Sequence, residues 1–411
     1  MADAYIIDAC RTPRGIGKIG KGALAGLHPQ RLGAAVLKAI AERNGVHTAD
    51  VDDVIWGTSA QVDKQGADLG RMAALDAGFD QRSSGVTLDR FCGSGITSVN
   101  MAAASILAGM EDLVVAGGTE MMSFTGALPF TGLPMMDKGN LHLRAQVPQS
   151  HQGVCADAIA AMEGITRADV DALALESQRR AGVALAEGRF VKSLIPVFDD
   201  EGNLLLDREE FPRPQTTPEG LAGLKPSFGA LADAPVDESG ATYRQLIQRK
   251  YPGLAFEAIH HAGNSSGVVD GAAALLLASG AYAAKQGLKP RARVVAYANM
   301  GDCPVLMLNG PVPAARKVLA KAGLGAEDID LWEINEAFAV VAEKFQRDLK
   351  LDRDKVNVNG GAIALGHPIG CTGAILIGTL LDELERRDLK RGLVTMCAAG
   401  GMAPAIIIER V

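Results

Sequence analysis

The most constraining feature of this chain is that part of it occurs twice. Gly45-Val46-His47-Thr48-Ala49-Asp50-Val51-Asp52 aligns without gaps against Gly323-Leu324-Gly325-Ala326-Glu327-Asp328-Ile329-Asp330. A helix pattern precedes each copy and an apolar strand pattern follows it. Continuing the register puts Gly57 opposite Asn335. Further on, each half carries a glycine-rich helix start, around Cys92 in one and His367 in the other. Each then shows an apolar strand expected to end in Gly-Gly, at Gly117-Gly118 and Gly400-Gly401. Two similar α/β halves packed together put two helix N-termini near a shared pseudo-two-fold axis. Cys92 and His367 are then expected to meet.

The chain has 411 residues, enough for two or three domains and a large core. Hydrophobic residues make up 48% and aromatic residues only 4%, with 48 glycines. That mix suits an α/β protein packed tightly with Ala, Gly and Val. The net charge of −7 argues against a broad nucleic-acid surface, although a local basic cluster could still take an anionic ligand. The six cysteines form no CxxC and none pairs with His at zinc-ligand spacing, so no metal site is expected. In a chain this long they do not resemble a secreted disulfide framework. Met1-Ala2-Asp3-Ala4 lacks the basic-then-apolar form of a signal peptide, and no apolar run reaches membrane-spanning length. A cytoplasmic protein with no membrane partner is expected.

Tyr5–Ile7 reads as a first strand, 32–43 as a helix, and 51–56 as a strand closed by Gly57. Gly15 to Gly20 matches GxGxxG, but Pro13 precedes it and no helix pattern opens on it; a surface loop is the better reading. From 123 to 150, turn formers and Met dominate. Helices are expected from His151 and over 167–187. Residues 198–223 read as loop, with Pro212, Pro214 and Pro218, and 233–251 as a polar amphipathic stretch. Regularity returns at Gly263, with a buried strand or helix over 271–279, a strand at 294–297 and a helix over 312–322.

Four pieces carry chemistry. Cys92 stands at the start of the helix pattern 96–107, beside Gly93, Ser94 and Gly95. A cysteine there faces unpaired N–H groups and the positive end of the helix dipole, and both favour the nucleophilic thiolate. Asn335-Glu336-Ala337-Phe338 follows the strand 331–334. Gly360 to Gly370 surrounds His367 with glycines that let a ligand approach closely. Cys397-Ala398-Ala399-Gly400-Gly401 closes a strand expected at 393–396.

These blocks, in this order on a duplicated frame, resemble the thiolase family, the CoA-dependent enzymes that make or cleave 3-oxoacyl-CoA. The resemblance covers nearly the whole chain. It includes Arg11-Thr12, Gly117 to Ser123, Gly263-Asn264-Ser265-Ser266-Gly267 and Gly310 to Ala314. It implies a five-layer αβαβα sandwich of two duplicated halves plus an inserted loop domain. The halves are then 1–122 with 251–280, and 281–411; the insertion is 123–250. It also implies association as a homodimer or homotetramer. CoA and acyl-CoA enter as substrates, with no separate cofactor.

Carried over residue by residue, the resemblance makes Cys92 the acyl acceptor and His367 the group that holds it as thiolate. Cys397 becomes the second acid/base, and Asn335 orients a water as an oxyanion donor. The backbone N–H groups of Cys92 and Ala399 form the second oxyanion hole; many relatives have Gly at the latter position, so Ala399 needs a compatible backbone. Ser266, His151, Met307, Phe338 and Lys225 fall at positions that contact CoA or the acyl group. Carbon–carbon bond chemistry beside a thioester needs this set: an acyl acceptor, a proton shuttle for the α-carbon and donors for two oxyanions. A shorter 120–151 segment and a longer 227–261 segment than in short-chain biosynthetic relatives favour a degradative or broad-range thiolase over strict acetoacetyl-CoA formation.

Other readings leave more unexplained. Gly263 to Gly267 also matches GxSxG, and Ser265, Asp330 and His367 follow the order of an α/β-hydrolase triad. Residues 255–261 make a poor strand into such an elbow, and Cys92, Asn335 and Cys397 would have no role. A non-catalytic acyl-CoA binder on the same fold is opposed by retention of both cysteines, Asn335 and His367. The His260-His261 pair reads as a loop feature rather than a metal site.

Overall fold

The computed structural model describes residues 3–128 and 136–411. Part of the turn-rich stretch 123–150 therefore lies outside the described residues. Among those described, ten strands form one hydrogen-bonded sheet, and its order shows the duplication. In the first half, Asp53–Gly57 lies between Val86–Leu88 and Leu113–Met121, followed by Val269–Ser279 and Ala4–Arg11. In the second, Leu331–Ile334 is followed by Arg391–Thr395, Met402–Arg410 and Ala292–Gly301. Each half runs parallel, antiparallel, antiparallel in the same sense. Ala4–Arg11 and Ala292–Gly301 join the halves, with Tyr5 opposite Arg293.

The numbering offset that relates Gly45 to Gly323 persists well beyond the repeated octapeptide. Thr48–Asp50 and Ala326–Asp328 are both single turns of 3₁₀ helix. Ile55 pairs with Ala116 where Glu333 pairs with Val394, so Leu113–Met121 and Arg391–Thr395 are counterparts. This corrects the expected Gly-Gly equivalence. Gly117 and Gly118 lie inside a strand, where a Cβ on Gly118 would stand 2.5 Å from the carbonyl oxygens of Gly370 and Gly57. Gly400 and Gly401 instead turn the chain at φ +77° and +75°.

Leu113–Met121, Val269–Ser279 and Leu331–Ile334 are buried on both faces, which explains why their sequences show no clear alternation. Along Val269–Ser279, Ala273, Leu275 and Leu277 face one core; Ala272, Ala274, Leu276 and Ala278 face another. Along Met402–Arg410, Ile406 and Ile408 join that first core, while Ala403, Ala405 and Ile407 face a third. The first core holds the helices Ser94–Leu107 and Thr372–Arg386. Outside the first half lie Pro29–Arg43 and Leu69–Asp76. Outside the second lie Pro311–Ala322 and Ala339–Leu349, together with Gln152–Glu163 and Arg167–Ala186 from the intervening segment. The five layers are thus helix, sheet, paired helices, sheet, helix. Among the described residues, no helix is long and apolar enough to cross a membrane.

The two central helices meet at their first turns. A Cβ on Gly95 would stand 2.8 Å from the backbone N of Ala374 and 2.9 Å from that of Gly373. A Cβ on Gly373 would collide with the backbone N of Ile96. Each glycine is the second residue of its helix. Elsewhere in a helix, Gly→Ala stabilises by up to about 1 kcal/mol. Here overpacking reverses the sign: Gly373→Ala is expected to cost about 2 kcal/mol or more, read as a lower urea midpoint. An unchanged or higher midpoint would contradict the close crossing.

Candidate active site

Cys92 precedes the Gly93 cap of its helix and is 6% exposed. The turn that presents it is tied locally. Ser94 Oγ donates to Phe91 O at 2.7 Å and accepts from Arg90 N at 2.8 Å, and Asp89 Oδ1 accepts from Phe91 N at 2.6 Å. These bonds hold Phe91 at φ +50°, a left-handed conformation that costs a non-glycine residue about 1–3 kcal/mol. Gly93 has no room for a side chain: a Cβ would stand 2.8 Å from Pro404 and 3.4 Å from Ala398 Cβ. The Cys92 turn therefore lies against Ala398, the residue that follows Cys397 in the chain.

Gly57 links this turn to the His367 loop. A Cβ there would stand 2.9 Å from Ser94 Cβ and 2.7 Å from Gly370 O. His367 Nδ1 lies 2.7 Å from Thr372 Oγ1, whose own proton goes to Pro368 O at 2.9 Å. The hydroxyl must therefore accept, which assigns the ring proton to Nδ1 and leaves Nε2 with a lone pair. Asn335 Nδ2 donates toward that Nε2 at 3.3 Å, and Asn335 Oδ1 is buried without a protein partner among the described residues.

Burial sets the protonation states. It pushes the Cys92 thiol up, and the neighbouring Cys397 adds to the effect. It pushes Cys397 up to about 12. It lowers His367 to about 3, with the Arg14 guanidinium acting in the same direction. Burial thus acts against the thiolate expected at Cys92 from its place at the helix start, and against charge on the His367 imidazole. The ordinary thiol value expected to suit Cys397 is displaced upward for the same reason.

Ala398 and Met402 close a tight turn through mutual backbone bonds of 2.7 and 3.1 Å. Ala399 lies within it and is not among the positive-φ residues, so alanine fits without strain. Its N–H is donated to no other protein atom among the described residues. His151 caps Gln152–Glu163, its Nδ1 accepting from Gly153 N at 3.2 Å. Its ring stands 5.7 Å from Phe228, which is 5.8 Å from Phe338. Ser266 N donates to Ala337 O at 3.0 Å, beside Phe338. Met307, at φ +63°, shares a buried cluster with Phe338, Cys397 and Ala399. Lys225 is exposed, in the segment just before Phe228.

Several supporting residues escaped sequence reading. Thr372 sets the His367 tautomer from the first position of its helix. Glu120 accepts from Gly370 N at 2.9 Å and Ser59 N at 2.8 Å, joining the halves beneath the site. Glu336, inside a quoted motif, accepts from Ser177 Oγ at 2.7 Å and Asn357 Nδ2 at 3.0 Å, bracing the glycine loop before His367. Arg14 pairs with the buried Glu209 at 2.9 Å and reaches Gly366 O at 3.4 Å. The hydrolase triad is not assembled: Asp330 Oδ2 accepts from Lys390 N and Arg391 N at 2.9 and 2.8 Å, while Thr372 takes the place beside His367 Nδ1. His260 and His261 do stand in a loop, between Tyr243–Lys250 and Val269–Ser279, but both are buried. His260 lies 2.7 Å from Asp157 and His261 2.9 Å from Asp171, contacts that pin the loop to two helices.

Two outcomes check these states. Alkylation of Cys92 by iodoacetamide, followed by peptide mapping, should keep rising through about pH 8.5. A plateau reached by about pH 7 would mean a preformed thiolate. Thr372→Val should lower turnover about 10- to 100-fold with the fold retained, because the tautomer loses its partner; unchanged turnover would dismiss that role.

Comparison with known proteins agrees with this geometry. The chain matches the family descriptions "Thiolase, N-terminal domain" over residues 4–232 and "Thiolase, C-terminal domain" over 288–410. It is 40% identical to an acetyl-CoA acetyltransferase of Chromobacterium violaceum, covering 99% of this chain and 100% of that protein. It is 39% identical to a β-ketoadipyl-CoA thiolase of Pseudomonas aeruginosa, covering 100% and 99%. A crystal structure of the Bacillus anthracis acetyl-CoA acetyltransferase superposes with a TM-score of 0.84 at 36% identity, over 100% of this chain and 99% of that one. The chain belongs to the thiolase family.

Proposed function

We propose that this protein is a CoA-dependent thiolase that moves an acyl group between Cys92 and CoA, cleaving 3-oxoacyl-CoA or forming it by condensation. The observation that carries the assignment of roles is the buried Asn335–His367–Thr372 chain, which orients the imidazole with its unprotonated Nε2 toward Asn335, in the loop that shares Gly57 with the Cys92 turn. In the cleavage direction, the Cys92 sulfur attacks the 3-oxo carbon as His367 Nε2 takes its proton. The carbon–carbon bond breaks, leaving the acyl group on Cys92 and an acetyl-CoA enolate, which the Cys397 thiol protonates. The Cys397 thiolate then takes the proton of an incoming CoA thiol. That sulfur attacks the acyl-cysteine, and Cys92 recovers its proton from His367 as it leaves. Condensation is the same path reversed.

The elevated Cys397 thiol suits this path. It is protonated at neutral pH and so can donate; once ionised it is a strong base for an α-carbon. His367, after taking the Cys92 proton, becomes an Nε2–H donor. With a water held by Asn335, it serves one oxyanion; the N–H groups of Cys92 and Ala399 serve the other. CoA then lies along His151, Phe228, Ser266 and Phe338, with Met307 toward the acyl group and Lys225 at the rim. The length of the 227–261 segment, which carries Phe228 against the His151 ring, is what favours a degradative or broad-range enzyme over a strict acetoacetyl-CoA synthase in this reading. We place the protein in the cytoplasm as a homodimer or homotetramer. The Val86–Leu88 strand lies at the outer edge of the first half's sheet, where a second copy could pair.

Three measurements test this. Incubation with acyl-CoA should leave acyl mass on the Cys92 peptide; its absence would reject the covalent path. Cys397→Ala should keep that acylation while losing carbon–carbon bond chemistry about 100- to 10,000-fold; equal loss of both would merge the two roles. Rates across a chain-length series of 3-oxoacyl-CoAs should stay within about tenfold beyond the four-carbon substrate; activity confined to acetoacetyl-CoA would reassign the enzyme as biosynthetic.

A further inference from the structure

Cys303 lies away from the mechanism above, in the loop between Ala292–Gly301 and Pro311–Ala322. Five of the six cysteines are buried, and Cys303 is only half-buried. Its sulfur is surrounded by donors. Lys250 Nζ stands 3.1 Å away and Tyr251 OH 3.3 Å, and the backbone N–H groups of Val305 and Leu306 also point at it. Lys250 ends the helix Tyr243–Lys250, so this contact joins two segments far apart in sequence. A neutral thiol needs one acceptor, whereas a thiolate needs several donors. The donor set matches the anion.

A cleft of about 410 Å³ opens at the next residues of the loop, Pro304 and Val305, and is lined also by Val147, Pro148, Arg249 and Lys250, the last of which touches the Cys303 sulfur. Its two cations favour an anionic occupant. We propose that Cys303 is a further reactive thiol of this chain, apart from Cys92 and Cys397, a modification site that forms mixed disulfides with small anionic disulfides.

The step balances without another oxidant. The Cys303 thiolate attacks one sulfur of R–S–S–R, a new Cys303–S–S–R bond forms, the old S–S bond breaks, and the second sulfur leaves as RS⁻. The charged surroundings are consistent. Partial burial pushes the Cys303 thiol up, but the donors from Tyr251, Leu306, Lys250 and Val305 outweigh it and bring the thiol below its ordinary value. Burial dominates at Cys10, Cys92, Cys155, Cys371 and Cys397, and all five move up. Asp302 bears on the adjoining Tyr251, and the Cys155 thiol nearby is neutral.

The test uses the intact enzyme, treated separately with CoA disulfide, glutathione disulfide and the cationic disulfide cystamine, with peptide mass mapping over a pH series. Both anionic disulfides should label Cys303 several-fold faster than cystamine, and the faster of the two names the physiological class of thiol. The labelling rate should level off below about pH 8.5, the ordinary thiol midpoint. Lys250→Gln should slow labelling at about pH 7 roughly threefold or more and move the midpoint upward, with acyl transfer unchanged. Cys303→Ser should remove that adduct alone. No adduct at Cys303 with either anionic disulfide, or labelling of Lys250→Gln at the wild-type rate and midpoint, would overturn the proposal.

Discussion

Everything in this molecule depends on how closely two helices cross. Ser94–Leu107 and Thr372–Arg386 touch backbone to backbone at Gly95 and Gly373, equivalent residues of the two halves. Neither tolerates a Cβ, so the distance between the halves is set by main-chain atoms, which barely yield, rather than by side chains. The loops in front of the helices then share Gly57 and Gly370 as common ground. The pieces of the candidate site that are remote in sequence are thereby held in one register. The buried Glu120 carboxylate, taking N–H bonds from Ser59 and Gly370, locks that register from below.

The same closeness determines the chemistry. Packing this tight removes water from Cys92, His367 and Cys397, and desolvation becomes the largest influence on each. Burial acts against charge on both the Cys92 thiol and the His367 imidazole. Thr372 makes the arrangement directional by fixing the imidazole proton on the far nitrogen. Cys303 shows the converse case. There partial exposure and four donors outweigh burial, and the thiol moves the other way.

The duplicated halves have diverged where chemistry required it. Counterpart strands place Thr119 opposite Cys397, one a hydrogen-bond partner of the Trp56 indole at 3.0 Å, the other the second thiol of the site. The counterpart of Gly57, which must be small to seat the His367 loop, is Asn335, whose amide faces the imidazole. One position in the first half serves close packing, and its twin presents an amide to the imidazole.

Much of this was legible in the chain itself. The gapless repeat specified two α/β halves, and helices such as Arg167–Ala186 and strands such as Leu331–Ile334 stand close to where local pattern put them. The four blocks around Cys92, Asn335, His367 and Cys397 were visible because their spacing and residue types are local. What the tertiary structure alone decided is of another kind. Val269–Ser279 could not be read as a strand because both its faces are buried, which erases alternation. The Gly117-Gly118 and Gly400-Gly401 pairs look alike in sequence, and only strand pairing separates an interior strand from a turn. The protonation of Cys92 and His367 depends on how much water the packed halves exclude. Solvation is a property of the surroundings in space, and neighbours in the sequence do not supply it.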